Sequence, residues 1–182
     1  MREEQEGTDV GPDVEDAGAV GELNAVAQVD PLLEDVLVEV LRLGRSLGDD
    51  PQAVGPDVEA ALEAIGFQVT GLSARVRWMS PPGSPLGPRE HITLMVELPD
   101  GSYLVDVGFG ACVMDSPLQF KTDMEQATAM GTYRLSESDG LFSLSVKQPP
   151  GWRTMYAFDL VPQIQSDYEL GNWYTSTSPL VP

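Results

Sequence analysis

"HITLMVELPDGSYLVDVGFGAC", residues 91–112, decides how this chain is read. Ile92, Leu94, Val96 and Leu98 take one face of its first segment, and His91, Thr93 and Met95 take the other. A side-chain period of two belongs to a β-strand. "PDGS" carries turn chemistry and "YLVDV" is a second apolar run, so the stretch predicts a hairpin. The closely spaced glycines of "GFGAC" break the pattern. The same stretch holds the only histidine and the only cysteine of the chain, with Asp106 between them.

Cys, His and Asp are the residue types of a thiol nucleophile, its base and the group that orients the base. Each has a plainer reading. A lone histidine at a strand start is commonly structural or exposed. Asp106 lies within an apolar strand, where a buried carboxylate is costly unless paired, so it caps the glycine turn, faces water or has a partner. Pairing register offers a partial test. A two-residue Asp100-Gly101 turn sets Asp106 opposite Met95 and leaves His91 about 13 Å away along the strand. A looser loop centred on Leu98-Pro99 sets His91 opposite Asp106. Both registers keep the two side chains on one face, and the local sequence prefers the tight turn.

Outward from the hairpin, "LSARVRW" alternates as a half-buried strand, and "SPPGSPLGPRE" is a proline-rich loop. "TYRLSESDGLFSLSVK" predicts a hairpin around Asp139-Gly140, and "WRTMYAFDLV" a further strand. "SDYELGNWYTSTSP" begins a helix at Ser166 and ends irregularly. Before Phe67 the period is helical. "DPLLEDVLVEVLRLG" carries a stripe of Leu33, Val36, Leu37, Val40 and Leu41 behind an Asp30 cap, and Gly44 ends it. "PDVEAALEAIG" opens at Pro56 and closes at Gly66. Helices followed by antiparallel strands predict an α+β fold. The expected organisation is a disordered acidic leader (1–28), a helical segment (29–66), a β-barrel domain (67–160) and the start of a further domain (161–182).

The chain has 182 residues, 42% of them hydrophobic, enough for a sizeable core. Its net charge of −19 is uneven: residues 1–65 carry 3 Arg against 17 Asp and Glu, and residues 66–182 carry 7 Lys and Arg against 12. That balance argues against nucleic acid and anionic membrane, both of which call for clustered cations. One cysteine and one histidine make neither an internal disulfide nor a structural zinc site. No stretch has the length of an apolar membrane span, and the first residues lack the apolar core of a secretory signal. A cytoplasmic protein without metal is the expectation, with oligomeric state open.

"GFQVTGLSARVRW", "PPGSPLGPREHITLMVEL", "SYLVDVGFG" and "FDLVPQIQSDYELGNWYTSTSP" together closely resemble the arylamine N-acetyltransferase family, in order, over about residues 59–178. The resemblance implies a papain-like (cysteine-proteinase-like) architecture: helices, then an antiparallel β-barrel, then a lid, of which this chain holds only the beginning. It implies acetyl-CoA as cosubstrate and an arylamine, arylhydrazine or N-hydroxyarylamine as acceptor, acetylated through a cysteine in a ping-pong cycle. It assigns His91 as base, Asp106 as orienter and Phe109 as a wall of the acceptor pocket, and it favours the looser hairpin loop. Gly108 and Gly110 are read as allowing close backbone approach. The family's cysteine motif falls near Pro51, where this chain has no thiol, and Cys112 does not match it. Ser178 stands where members commonly have histidine. Similarity begins abruptly near residue 59, which fits a displaced reading frame or start. The expected activity is therefore low or absent. The other readings are an inactive binding or regulatory paralogue, or an amide synthase-type relative acting on a polyketide chain.

Overall fold

In the computed structural model, which describes residues 35–36, 54–106, 108–112 and 114–177, the 91–112 stretch does form a hairpin. Its strands are β2 (His91–Leu98) and β3 (Gly101–Val105). The other elements are α1 (Val54–Ala64), β1 (Gln68–Val76), β4 (Leu118–Gln119), β5 (Glu125–Ala127), β6 (Thr132–Ser138), β7 (Leu141–Gln148), β8 (Gly151–Phe158) and α2 (Gln165–Thr177). Among the described residues the strands form one eight-stranded sheet, ordered β4-β3-β2-β1-β8-β7-β6-β5, with every neighbouring pair antiparallel. The leader 1–28, most of the 30–44 helix, the region of Pro51, and Ser178 lie outside the described residues. Asp35 and Val36 are helical, and Val36 packs on the outer face of the sheet.

The two faces of β2 serve two cores. Leu94 and Val96 join Val58 and Leu62 of α1 with Tyr103 and Val105 in an outer cluster, against which Ile92 and Leu98 also pack. The opposite face, with Thr93 fully buried and Met95 packed inward, looks into a second cluster built on Leu72, Leu104, Tyr133, Leu144, Met155, Tyr156 and Phe158. A strand buried on both sides is fixed in register, because a one-residue slip would exchange its faces. The two short edge strands are joined by a side chain. Gln119 N–H donates to Gln126 Oε1 at 2.7 Å, and Gln126 Nε2 donates to Gln119 C=O at 2.9 Å. The buried Gln126 amide imitates a strand backbone, so the sheet is nearly closed and its free edges are spared.

Turn chemistry explains one hairpin and misplaces another. Asp139 (φ 53°) and Gly140 (φ 79°) connect Ser138 to its partner Leu141, the two-residue turn predicted there. The β2–β3 turn is Pro99-Asp100 instead, with Leu98 opposite Gly101 and Leu94 opposite Val105. Neither register considered from sequence is adopted: the turn sits one residue before Asp100-Gly101 and one after Leu98-Pro99. Helix α1 starts at Val54, before Pro56, and Pro56 fits its first turn because no intrahelical N–H is required there. Gly66 ends it as expected: with φ 100° it lets Gly66 N–H reach Glu63 C=O (2.9 Å) and Phe67 N–H reach Leu62 C=O (3.1 Å). Helix α2 starts at Gln165, one residue before the expected Ser166, and runs to Thr177.

Candidate functional site

The site grows from that register. Continued one step beyond Val105, the β2–β3 pairing sets Asp106 opposite Thr93, so His91 is its diagonal neighbour on the same face. Diagonal neighbours are within reach of long side chains. His91 Nε2 lies 2.6 Å from Asp106 Oδ2. The imidazole is 10% exposed and the carboxylate not at all. The sequence offered a direct opposition or none, and the fold makes the contact by a third geometry.

The carboxylate is well provided for. Gly108 N–H donates to Asp106 Oδ1 at 3.0 Å, so this glycine supplies a backbone donor. The Tyr156 hydroxyl donates to Thr93 Oγ1 at 3.3 Å and is close enough to Asp106 to favour its charge. Thr93 spends its own proton on Val105 C=O at 3.2 Å. Burial, the largest influence on Asp106, opposes ionisation. The attraction of His91, the hydrogen bonds from His91 and Gly108, and the nearby Tyr156 hydroxyl outweigh it and hold the carboxyl below its ordinary range. The same burial, with the Asp106 charge, pushes the Tyr156 phenol well up, so it stays a donor.

Phe109 is the wedge. Its ring meets His91 edge-on at 5.4 Å, Trp78 at 6.0 Å and Tyr156 at 5.6 Å. His91 also leans on Tyr156 at 4.8 Å. The three residues singled out from sequence (His91, Asp106 and Phe109) are therefore together. A side chain built on Gly110 would meet open space, so the close approach expected at that glycine is not found.

Cys112 is not a member of this group. Its sulfur accepts Gln148 Nε2 at 3.4 Å, and it shares no hydrogen bond with His91. Burial raises its pKa, and the positive charge of Arg153 only partly offsets that. It is a poor source of thiolate. Among the described residues, no group of three or more His, Cys, Asp or Glu could hold a metal ion.

Beside His91 a recess of about 10 Å³ is lined by Ser73, Arg89, Glu90, Asp167 and Tyr168. It adjoins a cleft of about 370 Å³ between α2 and the 84–90 loop, which shares Ser73, Arg89, Asp167 and Gly171 and adds Leu170 and Trp173. Arginines staple that loop to the sheet. Arg77 Nη1 donates to Ser84 and Pro85 C=O (both 3.0 Å), and Arg89 reaches Ser73 C=O (3.0 Å) and pairs with Asp159. Sequence reasoning missed Tyr156 and Thr93. Thr93 carried a signal, since it shares the His91 face. Tyr156 carried none, because the β1–β8 pairing brings it from far along the chain.

A carboxylate-held imidazole beside an aromatic ring is an arrangement that can act as a base. The chain matches the N-acetyltransferase family profile over residues 58–181. It is 39% identical over 120 residues to the arylamine N-acetyltransferase of Mycolicibacterium smegmatis, covering 65% of this chain and 44% of that protein. It is 38% identical over 121 residues to that of Escherichia coli K12, covering 66% and 42%. The solved arylamine N-acetyltransferase of M. tuberculosis superposes with a TM-score of 0.71 at 31% identity, covering 82% of this chain and 66% of that one. The M. marinum enzyme in complex with CoA superposes with a TM-score of 0.67 at 33% identity, covering 70% and 48%. The chain belongs to the arylamine N-acetyltransferase family. It spans less than half the length of the two curated relatives named.

Proposed function

We propose that this chain carries the base and orienter of acetyl transfer from acetyl-CoA to an arylamine, arylhydrazine or N-hydroxyarylamine, without the thiol that accepts the acetyl group. Asp106 is the orienter and His91 the base. With Nε2–H donated to Asp106, Nδ1 is the nitrogen left to take a proton, and the carboxylate fixes the orientation of the ring. In the family's cycle a thiolate attacks the thioester carbonyl, CoA leaves as its thiol, and the amine then displaces the cysteine. His91 would take the proton from the thiol and later from the amine. The family resemblance makes Phe109 a wall for the acceptor ring, and the 370 Å³ cleft, which adjoins the small recess at His91 but is lined by neither His91 nor Phe109, is large enough for a small aromatic amine. The domain organisation expected from sequence, the papain-like layout and a cytoplasmic setting belong to this reading.

The observation that carries it is the buried 2.6 Å His91–Asp106 pair in a chain of this family. Low or absent turnover rests on the other half. The only cysteine of the chain is held by Gln148, with its pKa raised. Loss of an activated nucleophile removes most of the chemical rate. The assay is incubation with acetyl-CoA and an aniline, following CoA release. The expected rate matches the uncatalysed background and is unaltered by thiol alkylation or His91→Ala. Robust turnover abolished by both treatments would show that Cys112 serves as nucleophile and would overturn the inactive reading. The 370 Å³ cleft next to the His91 recess favours one second reading, a binding module. CoA raising the melting temperature without turnover is its signature.

A further inference from the structure

We infer that the cleft between the 77–82 turn and the start of β8 is an oxyanion site for a phosphate monoester. This inference does not rest on the acetyl-transfer reading. The cleft encloses about 450 Å³ and is lined by Arg77, Met79, Ser80, Trp152, Arg153 and Thr154 with two prolines. No acidic side chain lines it. Two further cations lie behind its indole wall, Arg134 at 4.4 Å and Lys147 at 5.5 Å from the Trp152 ring. Lys147 is paired with Glu125 at 3.0 Å.

The chain has 29 Asp and Glu against 10 Lys and Arg. In such a chain carboxylates are plentiful, and Arg89 duly pairs with Asp159. Among the described residues Arg77 and Arg153 have no such partner. Both are half-buried and held in place. Arg77 uses Nη1 on the two loop carbonyls. Arg153 lies over the Trp78 ring at 5.1 Å and turns Nη1 to Met79 Sδ at 2.8 Å. Each guanidinium keeps its other N–H donors unspent. Met79 adopts a left-handed conformation (φ 63°) in a turn closed by Ser80 N–H to Arg77 C=O, at 3.1 Å, and this turn fixes that side of the cleft. Preset guanidinium forks beside the Ser80 and Thr154 hydroxyls suit a tetrahedral dianion. The volume leaves room for a flat organic group as well. The site is separate from the dyad, because the rings of Trp78 and Phe109 stand between Arg153 and His91.

The test titrates the full chain at low salt with inorganic phosphate, adenosine 5′-monophosphate and uncharged adenosine. Both anions should bind, and adenosine should not. The nucleotide binding more tightly than phosphate identifies an organic phosphate as the ligand; equal affinities identify the oxyanion alone. Arg77→Gln and Arg153→Gln should each weaken binding about tenfold, as expected for losing a charged hydrogen bond, whereas Lys121→Gln, an exposed lysine outside the cleft, should not. In the unmodified chain the nucleotide should protect Arg77 and Arg153 from phenylglyoxal, read peptide by peptide by mass spectrometry. That readout does not depend on any variant folding. Absence of anion binding, adenosine binding as well as its phosphate, or equal phenylglyoxal modification with and without nucleotide would overturn the proposal.

Discussion

Asp106 concentrates the chemistry of the molecule in one side chain. It is buried, ionised and held by His91, the Gly108 N–H and the nearby Tyr156 hydroxyl, so its charge depends on all of them. Its folded pKa lies below the unfolded value of about 3.9. The unfolded chain therefore binds the proton more readily. The stabilisation is fully present above that value and is lost as pH falls through the folded pKa. Asp106→Asn should cost about 2 kcal/mol at neutral pH by removing a charged acceptor from a buried network. The gap in melting temperature between wild type and variant should close as pH falls from 5 to 3. Asp159, also depressed, is present in both proteins and cancels. Tyr156→Phe should cost about 1 kcal/mol and shift the acid transition of the wild-type network to higher pH, since a hydroxyl that favours the Asp106 charge is gone. An acid transition in Asp106→Asn as steep as in wild type would show that the dyad does not govern it.

Elements meet closely because one position in β1 has no side chain. Gly71 N–H donates to Glu59 Oε1 of α1 at 3.0 Å. A Cβ at Gly71 would fall 2.2 Å from the Tyr168 hydroxyl of α2 and 2.8 Å from Glu59 Oε2. Gly71→Ala must therefore displace the Tyr168 hydroxyl and the Glu59 carboxylate that pack on this position, at a cost of about 1 kcal/mol, the low end for overpacked sites. Tyr168→Phe in the same chain should return part of that loss by removing the nearest clash. Denaturant melts of the single and double variants read this directly, and equal stability of wild type and Gly71→Ala would refute the close packing. None of this was visible in the sequence, where Gly71 reads as an ordinary break in a strand. What could be read were local signals: the alternation of β2, the Asp139-Gly140 turn, and a histidine and an aspartate that a two-residue turn keeps on one face. The exact β2–β3 register could not be read, because it depends on which residues make a two-residue turn, and "LPDG" offers more than one choice. The Gln126 closure was equally hidden, since a side chain takes the place of a strand backbone.

The whole molecule is strongly acidic, and its charge has two opposed consequences. A net charge of −19 repels itself in the compact state. Residues 1–65 supply −14 of it and the remainder only −5. Salt shortens the reach of that repulsion, with a Debye length of about 10 Å at 0.1 M. Raising NaCl from 20 to about 500 mM should therefore raise the melting temperature. A chain beginning at residue 29 should respond less, because residues 1–28 hold eight of the Asp and Glu residues and one Arg. The cleft between Arg77 and Arg153 works in the opposite sense, since there salt competes with a bound anion for the guanidinium groups. The same titration should thus strengthen the fold while weakening nucleotide binding. Paired melting curves with and without adenosine 5′-monophosphate separate the two: they should converge upward as salt is added. Curves that stay a constant interval apart would mean the nucleotide is not held by charge, and curves that both fall would mean that self-repulsion does not limit this fold.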